Sequence, residues 1–230
     1  MAWGKPEGMG EYLKATKLCD CDNVKLKEKA KEISKDANTP RDAALKLFYF
    51  VREEILFGID YPDTKASYTL KKGIGFCETK TNLQIALLRA VGIPARCHYV
   101  HLDKVLLRTI TPRFMYDRMP TVVAHPWCEC YLSEKWIACE ALLDEALFKG
   151  MLREGSVTEE QIPTIDWNGE TDLILFNPLI VEDVGIFPSW DDAMIETRKR
   201  GKAAMPPSNR LFGWFMFFLM NRRINKGRKR

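Results

Sequence analysis

The sequence holds only three histidines, His98, His101 and His125, which limits where a side-chain proton shuttle working near neutral pH can sit. No apolar run approaches the roughly 18 residues that a bilayer span needs. The opening "MAWGKPEGMGEY" has no basic-then-apolar leader pattern, so a cytoplasmic location is the expectation. Internal repeats and low-complexity tracts are absent. So are EF-hand, phosphate-binding and dinucleotide-binding motifs, and no cofactor is implied. Acid is missing from the last ten residues, where six are basic: Arg222, Arg223, Lys226, Arg228, Lys229 and Arg230. Without them, 29 basic residues face 31 acidic ones, or −2 for residues 1–220. The overall charge of +4 therefore belongs to the tail, and a nucleic-acid-binding body is not indicated.

What is present is a chain of 230 residues, 46% hydrophobic, enough for one domain with a full core. The pattern divides it into a body, 1–205, and an apolar-aromatic and polybasic tail, 206–230, with Pro206-Pro207 between them. Seven cysteines, an odd number in a chain without an export signal, read as reduced thiols. Two Cys-x-Cys pairs, 19/21 and 128/130, match zinc-ligand spacing poorly, so no metal site is expected. Cys128 and Cys130 fit the core face of a strand, Cys19 and Cys21 fit surface thiols near the terminus, and Glu182, Asp183, Asp191 and Asp192 fit a solvated surface.

Residues 24–37 have the composition of a charged surface helix, with Val24, Leu26 and Ile33 as inward points. A second helix is marked by Thr39 as cap, Pro40 at its first position and Asp42 completing a capping box, with Ala44, Phe48, Val51 and Ile55 on one face. Residues 58–75 read as a loop. From Cys77 onward, Leu83, Ala86, Leu87, Ala90 and Val91 recur at helical spacing until Gly92-Ile93-Pro94 stops the run. Strand-like segments follow at 95–102, 121–132 and 135–142, the last two forming a hairpin through Ser133-Glu134, and another is expected at 173–181, limited to an edge by Pro178.

"KKGIGFCETKTN" places Cys77 between a glycine-rich turn and that helix. Unpaired N–H groups and the positive end of a helix dipole favour a thiolate there, and the same N–H groups suit an oxyanion. Gly73 and Gly75 permit close backbone approach. A nucleophile needs a base. Alternation puts His125, Trp127 and Glu129 on one face of the strand at 121–132, and Trp136, Ala138 and Glu140 on one face of its hairpin partner. Cys77 as nucleophile, His125 as base and Glu140 as orienting acid would form the arrangement of covalent acyl transfer. His98 and His101 read as structural.

Gly75-Phe76-Cys77, "TNLQIALLRAVGIPAR", "HPWCECYL" and "KWIACEALLD", in this order over about residues 40–145, resemble the catalytic core of the transglutaminase-like superfamily of papain-like cysteine enzymes. The resemblance puts Cys77 on the nucleophile position and His125 on the base position. It puts Glu140 where the family usually has aspartate, with Asp144 as the nearest alternative. The implied fold is α+β, with the cysteine on a helix N-terminus packed against an antiparallel sheet carrying the histidine and the acid. The implied activity is a thiol-dependent attack on an amide or isopeptide bond through a thioester, on a peptide, protein or small amide substrate. Hydrolysis is preferred over transfer to an amine, and the alternative is a domain without turnover that serves as a binding or scaffold module.

The tail "LFGWFMFFLMNRRINKGRKR" is too short in its apolar part to cross a bilayer. It suits either an interfacial contact with anionic lipid or, preferred here, packing of Trp214, Phe215, Phe217 and Phe218 on the body.

Overall fold

A computed structural model describes residues 7–200 and 210–229. Pro206-Pro207, the expected divide between body and tail, lies outside the described residues. After a 3₁₀ turn at Gly10–Leu13 come α1 (Val24–Ser34) and α2 (Pro40–Glu54). Both halves of the capping box form at α2, the Asp42 N–H donating to Thr39 Oγ1 and the Thr39 N–H to Asp42 Oδ2, each at 3.1 Å. Ala44, Phe48, Val51 and Ile55 are all buried. Of the inward points expected on α1, Leu26 is fully buried and Ile33 packs against the core, but Val24 at the first turn is exposed.

The stretch expected as a loop contains an element that the pattern did not reveal. Two short strands, β1 (Leu56–Phe57) and β2 (Ile74–Gly75), pair in parallel around α3 (Ala66–Lys72). The segment "ASYTLKK" is about two turns of helix with too few apolar residues for a period to show. Next comes α4 (Cys77–Ala90), the central element, which packs on the sheet on one side and on α1, α2 and α3 on the other. Leu83, Ile85, Ala86, Leu87 and Leu88 are buried. So are its polar residues, and each of those named next has a partner. Asn82 Nδ2 donates to the Leu18 carbonyl at 2.9 Å, Gln84 Nε2 to the Cys139 carbonyl at 2.8 Å, and Lys80 Nζ to the Ile55 carbonyl at 2.6 Å. Lys80 thereby satisfies a carbonyl left open by the end of α2.

The sheet is antiparallel and curled, in the order β5 (Lys135–Ala138), β4 (Val122–Leu132), β3 (Ala95–Asp103), β6 (Ile180–Phe187). The β4–β5 hairpin turns on Ser133 and Glu134, both at positive φ (49° and 63°), as a two-residue hairpin of matching twist requires. β5 stops at Ala138, short of the expected 142. The edge strand is 180–187 rather than 173–181, because Asn177–Leu179 form a 3₁₀ turn that takes up Pro178. Two short helices, α5 (Arg113–Tyr116) and α6 (Glu145–Arg153), and α7 (Trp190–Arg200) complete the body. Cys19 and Cys21 are buried, not surface thiols. Their segment is held inside by bonds from Ala66 N–H and Asn82 to the Leu18 carbonyl, and by the Leu18 N–H donating to Asp191.

The tail forms α8 (Arg210–Arg228), which packs against α6 and the β1 region. Gly150 and Gly227 meet so closely that a Cβ at Gly150 would lie 2.1 Å from the Gly227 carbonyl oxygen. Arg228 clamps the helix end, with Nη2 2.6 Å from Asp144 Oδ2 and from the Phe57 carbonyl. The packed face differs from the aromatic one expected. Met216, Met220 and Ile224 are buried and Phe217 meets Tyr61 edge-on, while Trp214 and Phe218 stack on each other and, with Phe215, stay exposed. None of the described helices is long and apolar enough to cross a membrane.

Candidate active site

The turn that delivers Cys77 is fixed by β1–β2 pairing and by the lack of a side chain at Gly75. A Cβ there would lie 2.8 Å from Thr79 Oγ1 and 3.0 Å from Thr69 Cγ2. Thr79 uses that space to accept the Phe76 N–H at 3.0 Å, closing the first turn of α4 on Cys77, its first residue. Of the seven cysteines, Cys77 alone is partly exposed, and the other six are buried. One turn further along, Thr81 Oγ1 donates to the Pro126 carbonyl at 3.0 Å, which ties the cysteine-bearing helix to β4 beside His125. Cys77 and His125 line one cavity of about 270 Å³.

His125 is buried and anchored from behind. Its Nε2 lies 2.9 Å from Glu140 Oε1, and the other carboxylate oxygen accepts the Leu175 N–H at 2.7 Å. With both of its oxygens placed as acceptors, Glu140 assigns the hydrogen to Nε2 and leaves the lone pair on Nδ1. The Phe176 ring meets the imidazole edge-on at 5.7 Å. Glu140 lies past the end of β5, so its position does not come from strand alternation. It comes from the irregular segment at 173–175, whose Leu173 carbonyl accepts the Glu140 N–H at 3.1 Å. Asp144 is engaged elsewhere, capping α6 through the Leu147 N–H and pairing with Arg228, which holds its carboxyl below the usual aspartate range against the opposing effect of burial.

The thiol itself departs from expectation. Cys77 Sγ donates its short hydrogen bond, 2.9 Å, to Oε2 of the neighbouring Glu78, with a longer contact of 3.9 Å to the Ala124 carbonyl. Burial pushes the Cys77 thiol well above the ordinary range, and the charge of Glu78 and its hydrogen bond add to this. The helix N-terminus does not prevail over these effects. Glu78 is itself raised, to about 7, chiefly by burial. No pattern marks Glu78 in the sequence, because an acid in the first turn of a helix ordinarily faces solvent and complements the dipole.

The remaining histidines have partners that the reading of Glu182 and Asp183 as solvated surface missed. His98 sits between Glu129 (2.7 Å) and Asp183 (3.0 Å), and the buried His101 between Tyr99 Oη (3.0 Å) and Glu182 (2.9 Å). Cys128 and Cys130 lie in the core with Cys139, whose Sγ is 3.8 Å from that of Cys130. No group of metal-ligating side chains is found among the described residues.

A cysteine heading a central helix, packed against an antiparallel sheet that carries a carboxylate-anchored histidine, defines the papain-like class of fold. Within it, the chain belongs to the transglutaminase-like superfamily, whose profile matches residues 27–141, half of its length. Among solved structures, it is similar to a "putative cysteine protease" from Cytophaga hutchinsonii, with a TM-score of 0.53 and 19% identity over 82% of this chain. It spans 50% of that chain's length. A slighter likeness, with a TM-score of 0.40 and 11% identity over 58% of this chain and 26% of the other, connects it to a "putative protease" from Parabacteroides distasonis. No curated protein matches the sequence.

Proposed function

We propose that the protein is a thiol hydrolase of amide or isopeptide bonds, with Cys77 as nucleophile, His125 as base and acid, and Glu140 as the residue that positions the imidazole. The observation that carries this reading is that the Cys77 thiol and a histidine with a defined tautomer line the same cavity. In the first step the thiol proton passes to His125 Nδ1 as sulfur bonds to the carbonyl carbon. In the second, the tetrahedral intermediate collapses, the C–N bond breaks, and His125 returns the proton to the departing amine. Water, activated by the same imidazole, then hydrolyses the thioester and restores the thiol. The Cys77 N–H, at the first helical position, is directed out of the helix and suits the oxyanion.

Membership of a family of thiol enzymes supports the coarse assignment, and the choice of hydrolysis over amine transfer rests on the largely apolar lining of the cavity, whose two carboxylates among the described residues, Asp60 and Glu78, are already engaged by Lys72 and by Cys77. The Cys77–Glu78 bond and the raised thiol favour a second reading, a domain that binds without turnover. A fluorogenic amide panel assayed with wild type, Cys77→Ala and His125→Ala separates the two. Hydrolysis lost by a factor of about 10³ or more in both variants is the expected result. Turnover that persists in Cys77→Ala, or is absent from wild type across the panel, overturns the proposal.

A further inference from the structure

The cavity over Cys77 has a composition that the reaction alone does not explain. Among the described residues 18 line it, and only Asp60, Glu78 and His125 of these carry an ionisable side chain besides Cys77 itself. None of the described lining residues is a lysine or arginine. Asp60 is paired with Lys72, and Glu78 is bonded to the cysteine. Neither is free to receive a cation, and nothing in the lining offers an anion a counter-charge. The remaining walls are aliphatic or aromatic, and four of them are methionines, Met115, Met119, Met216 and Met220. Methionine is unbranched and polarizable, so such walls fit themselves to apolar groups of varied shape.

Two of those methionines and Phe217 come from α8, the segment that the sequence set apart as a tail. The helix is fastened beside the cavity. Asn221, next to Met220, accepts the Ile59 N–H at 2.7 Å and donates to the Ile59 carbonyl at 3.0 Å. Ile59 itself lines the cavity, and Phe217 meets Tyr61 with ring centroids 4.9 Å apart. These contacts join the wall supplied by α8 to the segment of Ile59 and Tyr61. At about 270 Å³ the space is slightly below the range of about 300–1,000 Å³ typical of small-molecule sites, which suits one apolar group rather than an extended chain.

Building on the nucleophile assigned to Cys77 above, we infer that this cavity takes the apolar acyl portion of the substrate, an aliphatic chain or single aromatic ring attached to the attacked carbonyl, and that Met216 and Met220 of α8 set its size. Polar or charged acyl groups, including those with a terminal carboxylate, are disfavoured because they would enter a space without a partner for them.

The test uses the full chain and three esters with one leaving group: 4-nitrophenyl acetate, hexanoate, and the 4-nitrophenyl monoester of adipic acid. In each, Cys77 sulfur bonds to the ester carbonyl, 4-nitrophenolate leaves, and the thioester is located by peptide mass spectrometry. Hexanoate is expected to acylate Cys77 at least about tenfold faster than acetate, given the gain per buried methylene, and the adipate monoester no faster than acetate. Met220→Trp, which fills the cavity, should bring the hexanoate-to-acetate ratio close to one, and Met220→Ala should move the preferred chain length upward. Equal rates for acetate and hexanoate, or an adipate rate matching hexanoate, overturn the inference and leave the nucleophile in place. No acylation of Cys77 by any ester overturns the nucleophile. The pocket is then judged on Cys77→Ala by saturation-transfer NMR with hexanamide. Binding that Met220→Trp abolishes upholds the apolar site, and its absence overturns it.

Discussion

Two buried glutamates flank the reacting groups, and they differ in everything except side-chain type. Glu140 has both oxygens engaged by directed donors, His125 Nε2 and the Leu175 N–H, and it fixes a tautomer. Glu78 has a thiol against one oxygen, and its carboxyl is raised to about 7. Donors aimed at both oxygens hold the Glu140 carboxylate in one place, whereas at Glu78 burial outweighs the hydrogen bonds it receives and raises its carboxyl. In the proposed mechanism, one acid thereby orients His125, and the other governs how readily the Cys77 thiol ionises. The partition follows from environment, since neither the residue type nor its chain neighbours distinguish the two.

The largest effect that would break this comparison is at Glu140. Glu140→Gln retains the shape but can present an N–H to Nε2, releasing the hydrogen from that nitrogen and spoiling Nδ1 as acceptor. Amide turnover should fall by a factor of about 10²–10⁴, the usual span of general-base contributions. If the variant turns over at the wild-type rate, Glu140 does not position the base. The next effect is on stability. A carboxyl raised from about 4.5 to about 7 on folding supplies stability that is present at low pH and lost as pH rises through that window, up to about 7. The shift corresponds to roughly 3 kcal/mol. Glu78→Gln removes the titration, so denaturant midpoints should show the variant gaining on wild type between pH 5 and pH 8 by that order of magnitude. A constant difference across this range would mean that the Glu78 carboxyl is not raised by folding. Lys80, lowered to about 7 by burial, makes stability rise with pH from about 7 toward the ordinary lysine range, but it is present in both proteins and cancels in the difference between them.

The sequence makes some of this legible and hides the rest for definite reasons. The α2 start could be read because Thr39, Pro40 and Asp42 act over a single turn, and the Cys77 helix because glycines and an apolar period bracket it. The registration of His125 on β4 followed from strand alternation. Glu140 was reached by the same rule although that rule does not apply to it. The strand ends at Ala138, and the acid is held by backbone groups of Leu173 and Leu175, some 35 residues away. Such long-range satisfaction of polar groups leaves no local pattern. The buried Cys19 and Cys21, the partners of His98 and His101, and the role of α8 were hidden for the same reason. Glu78 was hidden differently. First-turn acids are common on exposed helix ends, and only the surrounding walls, contributed by segments as distant as Met216, turn this one inward.

The smallest effect is the sharpest test of the thiol side. In wild type, Glu78 ionises near pH 7, and each increment of its negative charge makes the adjacent thiolate harder to form. Glu78→Gln keeps a hydrogen-bonding group of the same length but removes that charge, so the Cys77 thiol should descend, while the larger effect of burial remains. At pH 7.5 the iodoacetamide alkylation rate of Cys77, followed by peptide mass spectrometry, should then rise about tenfold, one pKa unit being a tenfold change in thiolate. The buried cysteines other than Cys97, which feels the charge of Glu78, provide the internal reference. Adding His125→Ala to the variant decides what the thiol turns to once Glu78 is neutral. If the gain disappears, His125 stabilises the thiolate and the two sides of the site work as a pair. If the gain survives intact, the helix N-terminus alone lowers the thiol, and the role of His125 is confined to the later proton transfers.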